Sequence, residues 1–352
     1  LNPGIIRSEA WGSYSARDDG KLISREKSLE RKEQHITFKI IVDMITPGAV
    51  FLSALNPALL GVILSIEKEG RGPVLLTLFL ILIPCAANCS VNLLNDYYDY
   101  VGGNDTAENI VLEQEGPLAY HHVADPRPAF YLGAAFFAAA ALMGVYVIVK
   151  CGIVPAVIGA AGAVVTWTYS GKRVSTSHMP IGEFLSGFTL GGLVPLAVYA
   201  SLTAHRTLSA PLLLQDYLLV LFKAVPMILI VSMFMLANNT CDIERDRIAG
   251  RKTMPIIVGR DAAERLSRIT VIVFIAQLLL VLSVWYPAGI PVIALAPFIG
   301  RKGIAGTYCE PRTRENKIRA TLALVVMNMC LSVGYLASIA VHLLVVRIAH
   351  IM

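Results

Sequence analysis

The chain has 352 residues, of which 55% are hydrophobic and only 16% charged, and its mean hydropathy is +0.63. Soluble domains carry about 25% charged residues, so this composition excludes an ordinary water-soluble enzyme and points to the lipid bilayer as solvent. A net charge of +5 is small for this length and gives no argument for a nucleic-acid partner.

Residues 1–36 are polar and mixed in charge, and they read as a solvated cytoplasmic tail ahead of a membrane domain over 37–352. Apolar runs of about 18 residues or more then recur, too many and too evenly spread for a signal peptide. They predict an all-α polytopic membrane protein with nine spans, near 38–66, 73–98, 129–149, 152–170, 181–203, 215–238, 268–286, 288–300 and 319–346. The eighth is short. Pro47 and Pro57 are expected to kink the first span, Pro195 the fifth and Pro226 the sixth. The six cysteines show no zinc spacing and no disulfide framework, so they read as small packing residues.

Charge distribution orients the spans. With the N-terminus inside, 23 of the 30 Lys and Arg fall in the tail, the even-to-odd loops and their borders, and five fall on the other side. Lys39 and Lys223 lie within spans. The positive-inside rule therefore turns the C-terminal ends of spans two and six toward the cytoplasm. The loop over 101–128 is mostly acidic and that over 239–267 mixed but basic, so the two form opposite walls of one face.

Both of those span ends carry the same chemistry. The second span runs into Asn92-Leu-Leu-Asn95-Asp96-Tyr-Tyr-Asp99, then Gly102-Gly103-Asn104-Asp105. Four-residue spacing puts Asn95 and Asp99 on one helical face, about 6 Å apart along the axis. The glycines break the helix, so Asp105 is expected to fold back toward that face. The sixth span ends in Asn238-Asn239-Thr240-Cys241-Asp242-Ile-Glu-Arg245-Asp246, followed by Gly250-Arg251-Lys252-Thr253. Asn238, Asp242 and Asp246 again make one stripe.

Acids and amides crowded at a membrane-embedded helix end are costly unless a cation binds there. Hard oxygen donors suit Mg²⁺, which binds one or two carboxylates together with substrate phosphates. Two clusters could hold two ions with a diphosphate between them. Arg251 and Lys252, and Lys172 and Arg173 after Tyr169-Ser170-Gly171, are basic enough to complement that anion. The apolar helices would take a hydrocarbon tail. The alternative for Lys172 and Arg173 is a plain topology determinant, and for Arg260 and Arg265 a contact to lipid headgroups. His121 and His122 read as a surface-loop pair, and Asp43 and Glu183 receive no role.

The two motifs resemble the paired signatures of the UbiA superfamily of intramembrane prenyltransferases, over roughly 44–347. Their form is most similar to the 1,4-dihydroxy-2-naphthoate polyprenyltransferase branch, as is Tyr169-Ser-Gly171 followed by Pro180-Ile-Gly182-Glu183. The first span departs from that branch, reading Met44-Ile-Thr46-Pro47 where an Arg-Pro pair usually precedes the Thr. The resemblance implies nine helices around a central cavity. It also implies Mg²⁺ ligation by Asp99, Asp105, Asp242 and Asp246 assisted by Asn95 and Asn238, with two ions. Tyr169, Lys172, Arg173, Arg251 and Lys252 would contact substrate. The implied partners are a polyprenyl diphosphate, an aromatic acceptor and the bilayer of a prokaryotic plasma membrane. The acceptor would be 1,4-dihydroxy-2-naphthoate, decarboxylated to demethylmenaquinol, with 4-hydroxybenzoate or a tetrapyrrole as alternatives. An ion-coupled transporter is the competing class, but transporters place their polar residues near the midplane on broken helices.

Overall fold

The structure, a computed structural model, describes residues 34–70, 72–107, 110, 113–169, 175–204 and 213–351. Most of the expected tail, together with Lys172 and Arg173, lies outside those residues. Gln34 pairs with the loop after the second span, its N–H donating to the His122 carbonyl at 3.2 Å.

The described residues are helical throughout their regular elements, and the helices follow the apolar runs. α1 spans Phe38–Glu69, α2 Val74–Val101, α3 Arg127–Cys151, α4 Ile153–Tyr169, α5 Gly182–Ala204 and α6 Leu214–Cys241. α7 covers Arg260–Trp285 and α9 Lys317–Ala349, while α8 is a bent pair, Pro287–Ile299 and Arg301–Cys309, at 60°. Seven of these are long and apolar enough to cross a bilayer, eight if α8 is one span. α4, at 17 residues, completes the nine expected apolar segments. The short, weak eighth segment of the sequence is thus a broken helix that continues past its bend. Apolar side chains stand exposed along the outer faces, among them Val74, Leu142, Val164 and Phe298. Lipid covers such a belt, and the protein is multi-pass.

Proline lacks an N–H and crowds the carbonyl four residues back, which favours a widened or broken turn ahead of it. Pro226 in α6, like Pro84 in α2, nevertheless lies inside a continuous α-helix, while the prolines of α1 and α5 follow a break or a π-turn. In α1 the chain breaks at Thr46, which takes a left-handed φ of 51° just before Pro47. A π-turn over Phe51–Leu55 then precedes Pro57. In α5 a π-turn over Gly187–Leu193 precedes Pro195. The two π-turns pack against each other and both supply walls to the central cavity.

α1, α5, α6 and α9 form the middle of the bundle, with α2 and α3 paired on one flank. The main core joins Met227, Met233, Phe274, Leu278, Tyr286 and Tyr335 between α6, α7, α8 and α9. A cavity of about 920 Å³ opens among α1–α6 and α9. α7 and α8 therefore stand outside it and brace α6 and α9, rather than joining a ring of nine. Close approach of α5 to α6 depends on Gly191. A Cβ there would lie 2.4 Å from the Ile228 backbone nitrogen, so only a residue without a side chain fits.

Candidate active site

Three asparagines on α2 set up the first motif. Asn88 donates to Ser53 Oγ at 2.7 Å and Asn92 to the Ile45 carbonyl at 2.8 Å, which fastens α2 to the broken part of α1. Asn95, one turn on, donates to Asp99 Oδ2 at 3.1 Å, as the four-residue spacing requires. Beyond Val101 the chain turns through Gly103, at φ +76°, a conformation open to glycine at little cost. Asn104 and Asp105 then fold back, both N–H groups donating to the Asp99 carbonyl, at 2.9 and 3.0 Å. The Asn104 side chain donates to Asp99 Oδ1 at 3.0 Å. The expected return of Asp105 is what the structure shows.

The second motif closes in a matching way. α6 ends at Cys241, and Asp242 leads a short helix over Ile243–Ile248. Gly250 at φ +72° turns the chain, and the Arg251 N–H donates to the Asp246 carbonyl at 2.9 Å. Arg251 thus comes back over its own motif as Asp105 comes back over the other.

Tertiary contacts then join the two. Arg245 of the second motif is ion-paired with Asp105 of the first, and both side chains are buried. Arg251 bridges them again, 2.6 Å from Asp99 Oδ2 and 3.4 Å from Asp246 Oδ1. Lys317, the first residue of α9, lies 2.9 and 2.6 Å from the two oxygens of Asp242 and 3.3 Å from Glu115. All four aspartates, Asp99, Asp105, Asp242 and Asp246, are buried. Each is neutralised by a basic side chain, and among the described residues no three His, Cys, Asp or Glu converge as a ready metal cradle.

The electrostatics follow from burial. Burial pushes the Asp105 carboxyl up to about 6, with Arg245 opposing and Asp99 adding to the rise. Asp246 also rises to about 6, burial again leading, with Arg251 opposing and Asp242 adding. Burial by itself would lower Arg251, yet Asp99 and Asp246 hold it above its ordinary value. Burial, then Arg251, lowers His178, whose carbonyl accepts from the Lys252 N–H at 2.9 Å.

The donor set fits a hard divalent cation. The acids offer hard oxygen donors, with the Asn95 and Asn104 amides beside Asp99, and among the described residues Asp246 Oδ2 is buried without a hydrogen-bond partner. Ligation requires Arg251 and Lys317 to release the carboxylates they hold. The cavity reaches this region through Asn95, Asp96, Asn238, Asn239, Arg251 and Lys317, with Tyr169 on its wall. Away from it the walls are Leu80, Ile83, Phe137, Val145, Ile158 and Leu193. The compartment is therefore polar at one end and apolar along its length.

Several residues take places the sequence did not indicate. Lys252 is exposed and does not line the cavity. Glu183 is buried, accepting from Asn239 at 2.9 Å and from the Met254 N–H at 3.2 Å, so it positions the second motif. Arg260 does not face lipid headgroups. It donates to the Thr240 carbonyl at 2.9 Å and to both oxygens of Glu244, which ties α7 to the second motif. His121 lies 2.6 Å from Glu113, which is also paired with Lys39. Arg245, Lys317 and Glu115 were missed because sequence spacing places them near no partner; their partners are supplied by other helices.

The UbiA prenyltransferase family profile matches residues 54–325. The chain is 28% identical over 223 residues to the 1,4-dihydroxy-2-naphthoate octaprenyltransferase of Bacillus subtilis, which covers 63% of this chain and 67% of that protein. It is 26% identical to UbiA prenyltransferase domain-containing protein 1 of Xenopus tropicalis, where the match covers 59% of this chain and 57% of that one, less than two thirds. A UbiA homolog from Archaeoglobus fulgidus, solved bound to GPP and Mg²⁺, superposes with a TM-score of 0.56 at 15% identity, covering 86% of this chain and 99% of the other. The apo UbiA homolog from Aeropyrum pernix K1 superposes at 0.53 with 17% identity, covering 81% and 97%. Sequence profile and fold agree over most of the membrane-embedded chain, and the chain belongs to the UbiA prenyltransferase family.

Proposed function

We propose that the protein transfers a polyprenyl group from a polyprenyl diphosphate to 1,4-dihydroxy-2-naphthoate in a Mg²⁺-dependent reaction. One observation carries this reading: a single cavity has Asn95, Asp96, Asn238 and Asn239 of the two motifs, with Arg251 and Lys317 that hold Asp99 and Asp242, at one end and apolar walls along the rest. Such a compartment suits a molecule with an anionic head and a long hydrocarbon tail. The form of the two motifs and the similarity to the Bacillus 1,4-dihydroxy-2-naphthoate octaprenyltransferase support this acceptor.

Asp99 with Asn95, and Asp242 and Asp246 with Asn238, would hold Mg²⁺, while Asp105 acts from the first motif's returning turn. Bound there, Mg²⁺ supplies charge neutralisation of the diphosphate as it departs. Arg251 donates its fork to the same oxygens and strengthens as their charge grows. Asn104 and Arg245 keep Asp99 and Asp105 aimed at the head-binding end. The apolar walls align the tail and exclude water, which would otherwise capture the allylic cation. Tyr169, on the cavity wall, would contact the substrate. In the naphthoate reaction the ring also loses carbon dioxide and a proton. The 23-to-five distribution of Lys and Arg supports a site that faces the cytoplasm, and the quinone chemistry supports a prokaryotic plasma membrane.

The test uses membranes containing the protein, Mg²⁺ and a polyprenyl diphosphate, with 1,4-dihydroxy-2-naphthoate and 4-hydroxybenzoate offered in parallel. A prenylated naphthoquinone lacking the carboxyl carbon, absent with Asp99→Asn and Asp242→Asn, is the expected product. Product with 4-hydroxybenzoate alone would reassign the acceptor. Diphosphate binding that is indifferent to Mg²⁺ and to both substitutions would overturn the reading.

A further inference from the structure

Lys317 holds an awkward position for a residue of purely structural purpose. Its ammonium is within hydrogen-bond distance of both oxygens of Asp242, at 2.9 and 2.6 Å, and 3.3 Å from Glu115 Oε1. The side chain is only 12% exposed, yet it lines the polar end of the cavity beside Asn238, Asn239 and Arg251. Glu115 is itself buried as a side chain and also pairs with Arg314 at 3.5 Å. Two acids, Asp242 and Glu115, thus balance two bases, Lys317 and Arg314.

That balance cannot survive ligation. An ammonium on both oxygens of Asp242 takes the position of a divalent cation and repels one placed beside it, so an ion on Asp242 displaces Lys317. The displaced ammonium stays beside the cavity, since Glu115 still holds it. It then has positive charge to spare at the place where a diphosphate arrives. Building on the function proposed above, we infer that Lys317 is a diphosphate-binding cation that exchanges Asp242 for the substrate, with Glu115 as its tether. Empty, it guards Asp242 against stray cations; loaded, it contacts the head. Metal and diphosphate then bind together better than either binds alone.

The exchange makes two opposite predictions for one substitution. Purified protein is titrated with Mn²⁺, followed by the resonance of the free ion, without and with inorganic pyrophosphate. Lys317→Met should bind Mn²⁺ alone about tenfold more tightly, because its competitor is gone. The same variant should bind pyrophosphate in the presence of Mn²⁺ roughly tenfold or more weakly, as the loss of a charged hydrogen bond implies. KM for the prenyl diphosphate should rise more than kcat falls. Lys317→Arg should stay near the wild type in both titrations. The pair Glu115→Gln with Lys317→Met removes the buried carboxylate that the single variant leaves short of a partner, and it should repeat both shifts.

Mn²⁺ affinity unchanged or lowered in both the single and the paired variant would overturn the exchange, as would unchanged pyrophosphate affinity. A wild type that binds neither Mn²⁺ nor pyrophosphate would overturn the proposed function along with it.

Discussion

Arg251 spans the two motifs, with one guanidinium nitrogen 2.6 Å from Asp99 Oδ2 and the other 3.4 Å from Asp246 Oδ1. Asp99 closes α2 and Asp246 lies 147 positions further along the chain, so a single side chain couples helix ends that the sequence keeps far apart. The planar fork allows this; a point charge on a flexible stem does not. Arg251→Lys should therefore retain the charge and lose the bridge. The expected result is a fall in kcat/KM for the prenyl diphosphate of roughly 10²-fold, mostly through KM, measured in reconstituted membranes.

Asp105 and Arg245 form a buried pair across the same divide. Removing one partner strands the other charge, which costs about 3–5 kcal/mol. Asp105→Asn should accordingly lower the melting temperature as well as activity. Asp105→Asn combined with Arg245→Met should recover much of the stability and none of the activity. Thermal melts in detergent, read beside product formation, separate the two effects.

A second ion pair, between buried Lys223 and exposed Glu67, lies at the opposite end of the bundle, where Lys223 is 3.2 Å from Glu67 and 2.6 Å from the Tyr286 hydroxyl. Tyr286 donates to Glu67 at 2.6 Å, and Tyr335 donates to the Lys223 carbonyl at 2.8 Å. This network links α1, α6 and α9 with the residue that follows α7, far from the aspartates. Lys223→Met should lower stability by roughly 1–3 kcal/mol and leave kcat per folded molecule unchanged. A changed kcat at full folding would show that the bundle transmits strain to the site.

Glu113 fastens the loop after α2 to α1 through Lys39, and it also meets His121. The hydrogen bond from Lys39, then that from His121, holds its carboxyl below the ordinary glutamate value. A depressed folded value means that its contribution to stability is present above the unfolded value of about 4.5. That contribution is lost as pH falls through the folded value. Protection from hydrogen exchange at residues 118–123, relative to the intrinsic rate at each pH, should therefore fall below about pH 4.5 in the wild type. Glu113→Gln should show the lower protection already at neutral pH.

Gly191 lets α5 touch α6, and even a methyl group there would meet the Ile228 backbone nitrogen at 2.4 Å. Gly191→Ala should push α5 outward and destabilise the protein by roughly 1–3 kcal/mol. Its neighbours Thr189, Leu190 and Leu193 line the cavity, so the distribution of accepted prenyl chain lengths should move with it. Product masses from a mixed pool of prenyl diphosphates would register that change.

Much of this protein is determined by sequence alone, and for local reasons. Run length and hydropathy dictate where helices cross a bilayer, because unsatisfied backbone groups have no place in hydrocarbon. Four-residue spacing decides that Asn95 meets Asp99, and the glycines at 103 and 250 decide that each motif turns back. Those rules act within a turn or two of the chain. What only the tertiary structure decided is which charges meet. Arg245 finds Asp105, Lys317 finds Asp242, and Glu183 finds Asn239 from helices distant in sequence. α7 and α8 also leave the cavity wall, although their hydropathy matches that of helices that line it. Such pairings depend on how whole helices pack, and a buried charge is satisfied by whatever partner that packing brings within reach.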